Sequence, residues 1–422
     1  MPTSNSDQLR LAFLLPSFPE LSNTFVIEQV KGMIERGHEV DVFARSPKSL
    51  QDVPPELRHL DLEQRMRHLR IPKGRLARLA SAARIMGGHN GLGRAHLDAL
   101  NAFKHGRSVF KLVRLHTAAS FVRSGPYDVL HCHYGNWGIL GERLVRTGAT
   151  DAALVTSFRG ADLSSHYPAH PERFRALFER GDLHLPVSAD FRARLIKAGV
   201  SAERVEVHHD GIDTRQFAFA PRRSMDGPVR LLFVGRLTEK KGVAYGLEAV
   251  AGLVRAGRDV ELKIIGDGPL VPSLKALSAQ LELDEHVVFE GSRSNAEVAQ
   301  AMAESHILIA PSVTAANGDQ EGIPTVLKEA MATGMPVVST RHSGIPELVD
   351  HGVTGFLVPE RDVSELTAHL IRLIDNPGIW GTMGRAARRK VEDEFDTEKL
   401  NDMLVERYRE AIAGKARRSR AR

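Results

Sequence analysis

The chain has 422 residues, 42% of them hydrophobic, a formal net charge of +5 and one cysteine, Cys132. That length exceeds one ordinary core and predicts two domains of about 200 residues each. No run of about 18 apolar residues occurs, the polar Met1–Arg10 segment lacks a signal core, and a lone cysteine excludes an intrachain disulfide or a four-cysteine zinc site, so a cytoplasmic protein is expected.

Leu9–Leu15 is an apolar run ending at Pro16 and reads as a buried strand. Ser22, Asn23 and Thr24 offer caps for a helix through Arg36, with apolar Phe25, Val26, Val30, Met33 and Ile34, stopped by Gly37. His38–Ala44 is the next strand, and strand, helix and strand in this order form a right-handed parallel unit. The loop Pro16–Asn23 falls at a strand's C-terminal end, where ligands bind in open α/β sheets, but it lacks the glycines of a dinucleotide fingerprint.

From Gln64 to Arg123 thirteen Lys or Arg face one acid, Asp98, a net +12 that leaves −7 on the rest of the chain. Leu69, Leu76, Leu79, Ala80, Ala83 and Met86 recur at helical spacing among arginines, and Phe103–Val122 forms a second basic amphipathic piece. Two readings stand: helices lying on an anionic membrane surface, which is preferred, or surface helices with solvated basic faces. Despite a pI of about 9.3, nucleic-acid binding is disfavoured, because aromatic residues are few in this stretch and no recognition motif occurs.

Asp128–Tyr134 is a strand that places His131 and His133 on one face, and no carboxylate or cysteine is spaced to complete a metal site. Ala153–Phe158 is a strand ending in Arg159-Gly160-Ala161-Asp162, where Asp162 either binds a hydroxyl or caps the next helix. Further units follow: strand Leu183–Val187, helix Ala189–Ala198 and strand Val205–His209. The pattern then restarts. Strands are expected at Val229–Val234, Val260–Ile265, Val287–Phe289, His306–Ala310, Pro336–Thr340 and Gly355–Val358, with helices between them. Thr397–Ala413 is a helix, and the basic tail Lys415–Arg422 is expected to be disordered.

The motifs lie in the second half. Arg236 and Lys241 follow its first strand, a planar fork and a mobile point charge that together neutralise a diphosphate. Gly266-Asp267-Gly268-Pro269 is a tight turn where backbone can approach a flat ligand such as a base. In Glu321-Gly-Ile-Pro-Thr-Val-Leu-Lys-Glu329, Pro324 suits a first helical position and Gly334 a stop. Glu321 then precedes a helix N-terminus able to take a phosphate, and Glu329 lies in its second turn. Carboxylates on both sides of such a site suit sugar hydroxyls, so a phosphorylated sugar is the expected ligand.

The strings VGRLTEKKG, IIGDGP, EGIPTVLKEAMATGMPVVST, HSGIPELV and GFLVP resemble family 4 retaining glycosyltransferases. FPELSNTFVIEQV and GDLHLPVSADFRARLIKAGV resemble the subset that builds bacterial exopolysaccharide of the colanic-acid and amylovoran type. The resemblance implies a GT-B fold: two Rossmann-like, doubly wound parallel-sheet domains facing an interdomain cleft. It places an acceptor-binding domain at 1–213 with the basic insertion at about 64–123, a linker at 214–228, a nucleotide-sugar domain at 229–395, a helix crossing back at 396–414 and a tail at 415–422.

It further implies that Arg236 and Lys241 hold the donor diphosphate and Glu329 the ribose. Glu321 would meet the sugar hydroxyls, with the backbone of Gly322, Ile323 and Pro324 on sugar and phosphate, and Gly266 and Gly268 would line the base. The partners implied are a nucleotide-diphosphate sugar, a lipid-linked saccharide acceptor and an anionic membrane surface, with no cofactor and no metal. Many relatives carry a histidine where this chain has Arg159, and a permanent cation cannot act as a base; Arg159 is left as a binder of sugar or phosphate. His131 and His133 match a family pattern whose role is structural, acceptor-side or catalytic. A nucleotide-sugar epimerase and a non-catalytic nucleotide-sugar scaffold remain as alternatives.

Overall fold

The computed structural model describes residues 7–19, 24–47, 60–69, 74–86, 113–222 and 227–420. Among the described residues, twelve strands form two six-stranded parallel sheets. The first comprises β1 (Arg10–Phe18), β2 (Glu39–Pro47), β3 (Met66–His68), β4 (Val129–His133), β5 (Ala153–Phe158) and β6 (Leu183–Pro186), in the spatial order β3-β2-β1-β4-β5-β6. The second comprises β7 (Val229–Val234), β8 (Val260–Ile265), β9 (Val287–Gly291), β10 (Ile307–Ala310), β11 (Val337–Thr340) and β12 (Phe356–Val358), in the order β12-β11-β10-β7-β8-β9. Each sheet thus leads out from its first strand in both directions, which is doubly wound topology. Apolar residues dominate strands that helices cover on both faces, and in β4 and β5 every residue is buried, His131, His133, Thr156 and Ser157 included.

Two features differ from expectation. Val205–His209 is not a strand: Glu206 and His208 donate backbone N–H groups to the carbonyls of His184 and Pro186, but the pairing amounts to an isolated bridge. The C-terminal helix does not stop at Ala413 but runs Thr397–Arg420. Its expected disordered tail is held down instead, by Lys415 on Asp151 at 2.7 Å and Arg418 on Asp182.

That helix lies against the first sheet and the helix Thr24–Glu35. The side chain of Asn401 sits over Gly32, where a Cβ would come within 1.9 Å of it, so glycine is needed for the close approach. Asn401 donates to the Glu28 carbonyl at 3.3 Å, Arg36 pairs with Glu398 and Asp402, and Tyr408 is fully buried.

Of the basic stretch, the helices Arg75–Met86 and Val113–Ser124 are described; the predicted helical positions at 70–73 and 87–112 lie outside the described residues, as do the caps Ser22 and Asn23. The first helix buries Ala82 against Leu115 and leaves Leu76 82% and Leu79 57% exposed. No described helix is long and apolar enough to cross a membrane.

Candidate active site

Ligands of open α/β sheets bind at the C-terminal strand ends where the strand order reverses. Here those points lie between β1 and β4, and between β7 and β10. The loops from both meet across a cleft of about 780 Å³. Pro16, Phe25, Tyr134, Trp137, Arg159 and Asp162 line one wall, and Arg236, Lys240, Lys241, Glu321 and Pro324 line the other.

The second wall is built from two turns. After β7, a short turn at Glu239–Lys241 ends at Gly242, whose φ is +67°. A Cβ there would stand 1.8 Å from the Pro311 carbonyl, so the β7 and β10 loops can press together only at glycine. The β10 loop then delivers Glu321 ahead of the helix Thr325–Ala332, with Pro324 as its N-cap. Glu329 falls in the second turn, and Gly334, at φ +82°, follows the end. Glu321 lies 3.0 Å from Lys241 Nζ and 3.2 Å from Lys240 Nζ. Burial alone would raise its carboxyl, but the two ammonium groups outweigh it and hold it at about 2. Lys240 also reaches Asp319 at 3.1 Å. Arg236 is exposed on the cleft wall, and among the described residues its guanidinium has no ion-pair partner.

Glu329, Gly266 and Gly268 are not among the cleft-lining residues. The two glycines have a backbone role: Cβ atoms on them would meet the carbonyls of Gly235 at 1.9 Å and Leu237 at 2.4 Å. They let the β8 loop lie on the β7 loop, where Leu237 N–H donates to the Asp267 carbonyl at 2.9 Å. Glu329 is part-buried, and burial pushes its carboxyl up to about 7 against the pull of Lys328. Lys328 itself is fully buried, donates to the Asp210 carbonyl at 2.5 Å, and is brought down by burial to about 8.

On the first wall most polar groups serve each other. Arg159 Nε lies 2.9 and 3.0 Å from the two Asp210 oxygens, and its Nη1 donates to His133 Nδ1 at 3.0 Å. Its guanidinium lies 4.4 Å over the Phe25 ring. His131 joins Tyr408 at 2.7 Å and Ser157 at 2.8 Å and stacks on His133. Burial pushes both histidines well below their usual range, so they are neutral in this arrangement. Asp162 accepts backbone N–H groups from Gly135, Arg159, Gly160 and Leu163, so it fixes the turns after β4 and β5.

The walls are joined. Gln320 N–H donates to Ser164 Oγ at 3.2 Å, and Glu347 Oε1 accepts Ala189 N–H at 2.8 Å, at the start of the helix Ala189–Lys197. Sequence reasoning missed Lys328, Asp210, Glu347 and a pair behind Glu321, His342 and Glu360. The string HSGIPELV drew attention to two of these five without giving either a task.

Residues 22–216 match the family described as Glycosyltransferase Family 4, and residues 228–376 match Glycosyl transferases group 1. The putative colanic acid biosynthesis glycosyltransferase WcaL of Salmonella typhimurium is 35% identical over 94% of this chain and 98% of its own. The amylovoran biosynthesis glycosyltransferase AmsK of Erwinia amylovora is also 35% identical, over the same shares. Among solved structures, Anabaena HepE in complex with UDP and glucose superposes with a TM-score of 0.69 at 20% identity, over 94% of this chain and 99% of that one. The glycosyltransferase WaaG, involved in lipopolysaccharide biosynthesis, superposes with a TM-score of 0.60 at 18% identity, over 94% and 98%. Two doubly wound sheets about a shared cleft, with matches along nearly the whole chain, make this protein a family 4 glycosyltransferase of the GT-B fold.

Proposed function

We propose that the protein is a retaining hexosyltransferase that moves a sugar from a nucleoside-diphosphate donor to a lipid-linked saccharide during exopolysaccharide assembly. The observation that carries this reading is the asymmetry of the cleft: Arg236, Lys240, Lys241 and Glu321 converge on one wall beside a helix N-terminus. Arg236 and Lys241 neutralise the diphosphate, and Glu321, held ionised, accepts hydrogen bonds from sugar hydroxyls. The backbone of Gly322, Ile323 and Pro324 meets sugar and phosphate; Gly266, Gly268 and Glu329, which do not line the cleft, are assigned to the base and the ribose on the family resemblance alone. The likeness to WcaL and AmsK supports the pathway class.

In the reaction an acceptor hydroxyl oxygen bonds to the anomeric carbon on the face from which the diphosphate departs. The C–O bond to phosphate breaks with its electron pair, and a phosphate oxygen takes the hydroxyl proton. Negative charge grows on the leaving diphosphate, where Arg236 and Lys241 supply fixed positive charge, so turnover is expected to persist in EDTA. Arg159, tied to Asp210 and His133, takes no proton. The exposed Leu76 and Leu79 beside Arg78 and Arg84 favour contact with an anionic bilayer, where a lipid-linked acceptor resides.

Calorimetric titration with UDP, GDP and ADP in EDTA tests the donor site. One nucleotide is expected to bind at micromolar affinity and to lose it in Lys241→Ala. Binding by none, or undiminished binding in Lys241→Ala, defeats the reading. Sugars on the preferred nucleotide are then tried for transfer, and a product formed without acceptor and with an inverted hydroxyl would mark an epimerase instead.

A further inference from the structure

Glu321 lies in a loop between β10 and the helix Thr325–Ala332, outside any regular ladder. A carboxylate there needs its backbone fixed from elsewhere if it is to meet a sugar within tenths of an ångström. The fixing group is a histidine that does not line the cleft. His342, just past β11, is fully buried, and its Nε2 lies 3.0 Å from Glu321 N–H. A backbone N–H can only donate, so Nε2 is the unprotonated nitrogen. The ring hydrogen of the neutral imidazole therefore sits on Nδ1, which donates to Glu360 Oε1 at 2.6 Å. Glu360 is held in turn by Thr314 N–H at 2.7 Å and Thr314 Oγ1 at 3.2 Å. Gln320 Nε2, one residue before Glu321, donates to the same Thr314 hydroxyl at 2.8 Å. Both ends of the loop from Thr314 to Glu321 are thereby tied to one Glu360–His342 pair.

We infer that His342, oriented by Glu360, is a positioning residue that sets where the Glu321 carboxylate stands in the cleft. This rests on the reading that Glu321 meets the donor sugar, but the positioning itself has a signature independent of catalysis. The turn carrying His342 also explains why the tie reaches the other wall. Ser343 holds a positive φ of 47°, and Gly344 follows with no room for a Cβ, which would lie 2.7 Å from both Ile323 and Ser188 of the opposite domain. Three residues on, Glu347 takes the Ala189 N–H across the interface. The segment from His342 to Glu347 thus touches the loop of the sugar-facing carboxylate at one end and the facing domain at the other.

The test compares full-length wild type with His342→Ala, His342→Gln and Glu360→Gln. Hydrogen–deuterium exchange across residues 311–324 is expected to quicken in His342→Ala and to return toward wild type in His342→Gln, whose Oε1 can accept the same N–H. Melting curves and exchange elsewhere check that each variant is folded, and Glu360→Gln carries the test if His342→Ala is not. Unchanged exchange of that segment in folded His342→Ala or Glu360→Gln overturns the inference.

With the nucleotide sugar chosen by titration, kcat is expected to fall about a hundredfold in His342→Ala while affinity for the free nucleotide stays within about threefold. His342→Gln is expected to recover most of kcat. Equal losses in Ala and Gln, or a loss confined to nucleotide affinity, overturn it. Wild type that turns over no nucleotide sugar would defeat the functional reading instead, and exchange would still decide the positioning.

Discussion

The two halves of the molecule share one strand order but use its switch point differently. In the first half, the loops after β4 and β5 spend their charges on each other: Arg159 on Asp210 and His133, Asp162 on four backbone N–H groups. In the second, the loops after β7 and β10 leave Arg236 exposed to the cleft and pair Glu321 with lysines that border it. Topology supplies a place for a ligand in both, and the side chains decide that one wall is a rigid, largely self-satisfied surface and the other a charged receptor.

The largest expected effect breaks the receptor wall. Glu321→Gln keeps the shape but removes the charge that the two lysines hold at about 2. Turnover should fall about 10²–10³-fold, with free-nucleotide affinity little changed, because only the sugar meets this group. Full turnover in steady-state assays would remove Glu321 from the site.

The opposite wall should answer in stability instead. Arg159→Ala strands Asp210 in a part-buried place, and about 3 kcal/mol of folding stability should be lost in denaturant titrations. Normal stability with abolished turnover would instead make Arg159 a group that faces substrate, and the contrast between the walls would fail.

How much of this was legible in the sequence follows the same division. Strands such as Ala153–Phe158 and Val229–Val234 could be read to the residue, because apolar residues dominate them and only Thr156, Ser157 and Arg230 interrupt the runs. The Glu321–Glu329 stretch was legible as loop, Pro324 and helix from local rules alone. What failed depended on distant partners. Lys328 looks like one more helix-surface charge, yet it is fully buried, with its ammonium on the backbone carbonyl of Asp210, 118 positions away. Val205–His209 has strand composition but pairs at one point only, and nothing local says so.

Glu329 sharpens the comparison through pH. Its carboxyl stands at about 7 in the folded protein against 4.5 for the ordinary group. Between these values the folded state binds more protons than the unfolded, so stability falls as pH rises through that window and levels off above it. Glu329→Gln should be more stable than wild type at pH 8, by up to about 3 kcal/mol, and nearly equal to it at pH 4. Parallel stability–pH curves for the two proteins would show that this carboxyl is not shifted by burial.

Away from the cleft, Leu76→Asp with Leu79→Asp removes two exposed apolar groups and adds negative charge beside Arg78 and Arg84. Co-sedimentation with anionic vesicles should weaken about tenfold, with transfer to a soluble acceptor unaffected. Undiminished sedimentation would leave these helices as solvated surface.

The smallest effect concerns the C-terminal helix. Deleting residues 415–422 removes Lys415 from Asp151 and from the Ala152 carbonyl at 3.1 Å, and Arg418 from Asp182. The first pair is solvent-exposed on the aspartate side, and such pairs contribute about 0–1 kcal/mol. The second is better placed, since Asp182 is 8% exposed and its other oxygen accepts Leu154 N–H at the start of β5. Together they should lower the melting temperature by about 2–4 °C. Because both are ion pairs at the protein's edge, the difference should shrink as salt rises from 0.01 to 1 M, which contracts the screening length from about 30 Å to about 3 Å. Tyr408 and Asn401 remain in the shortened helix, so its seat on His131 and Gly32 persists, and transfer should be untouched. A larger, salt-independent drop would mean that the last two turns are held by their packing instead of by charge.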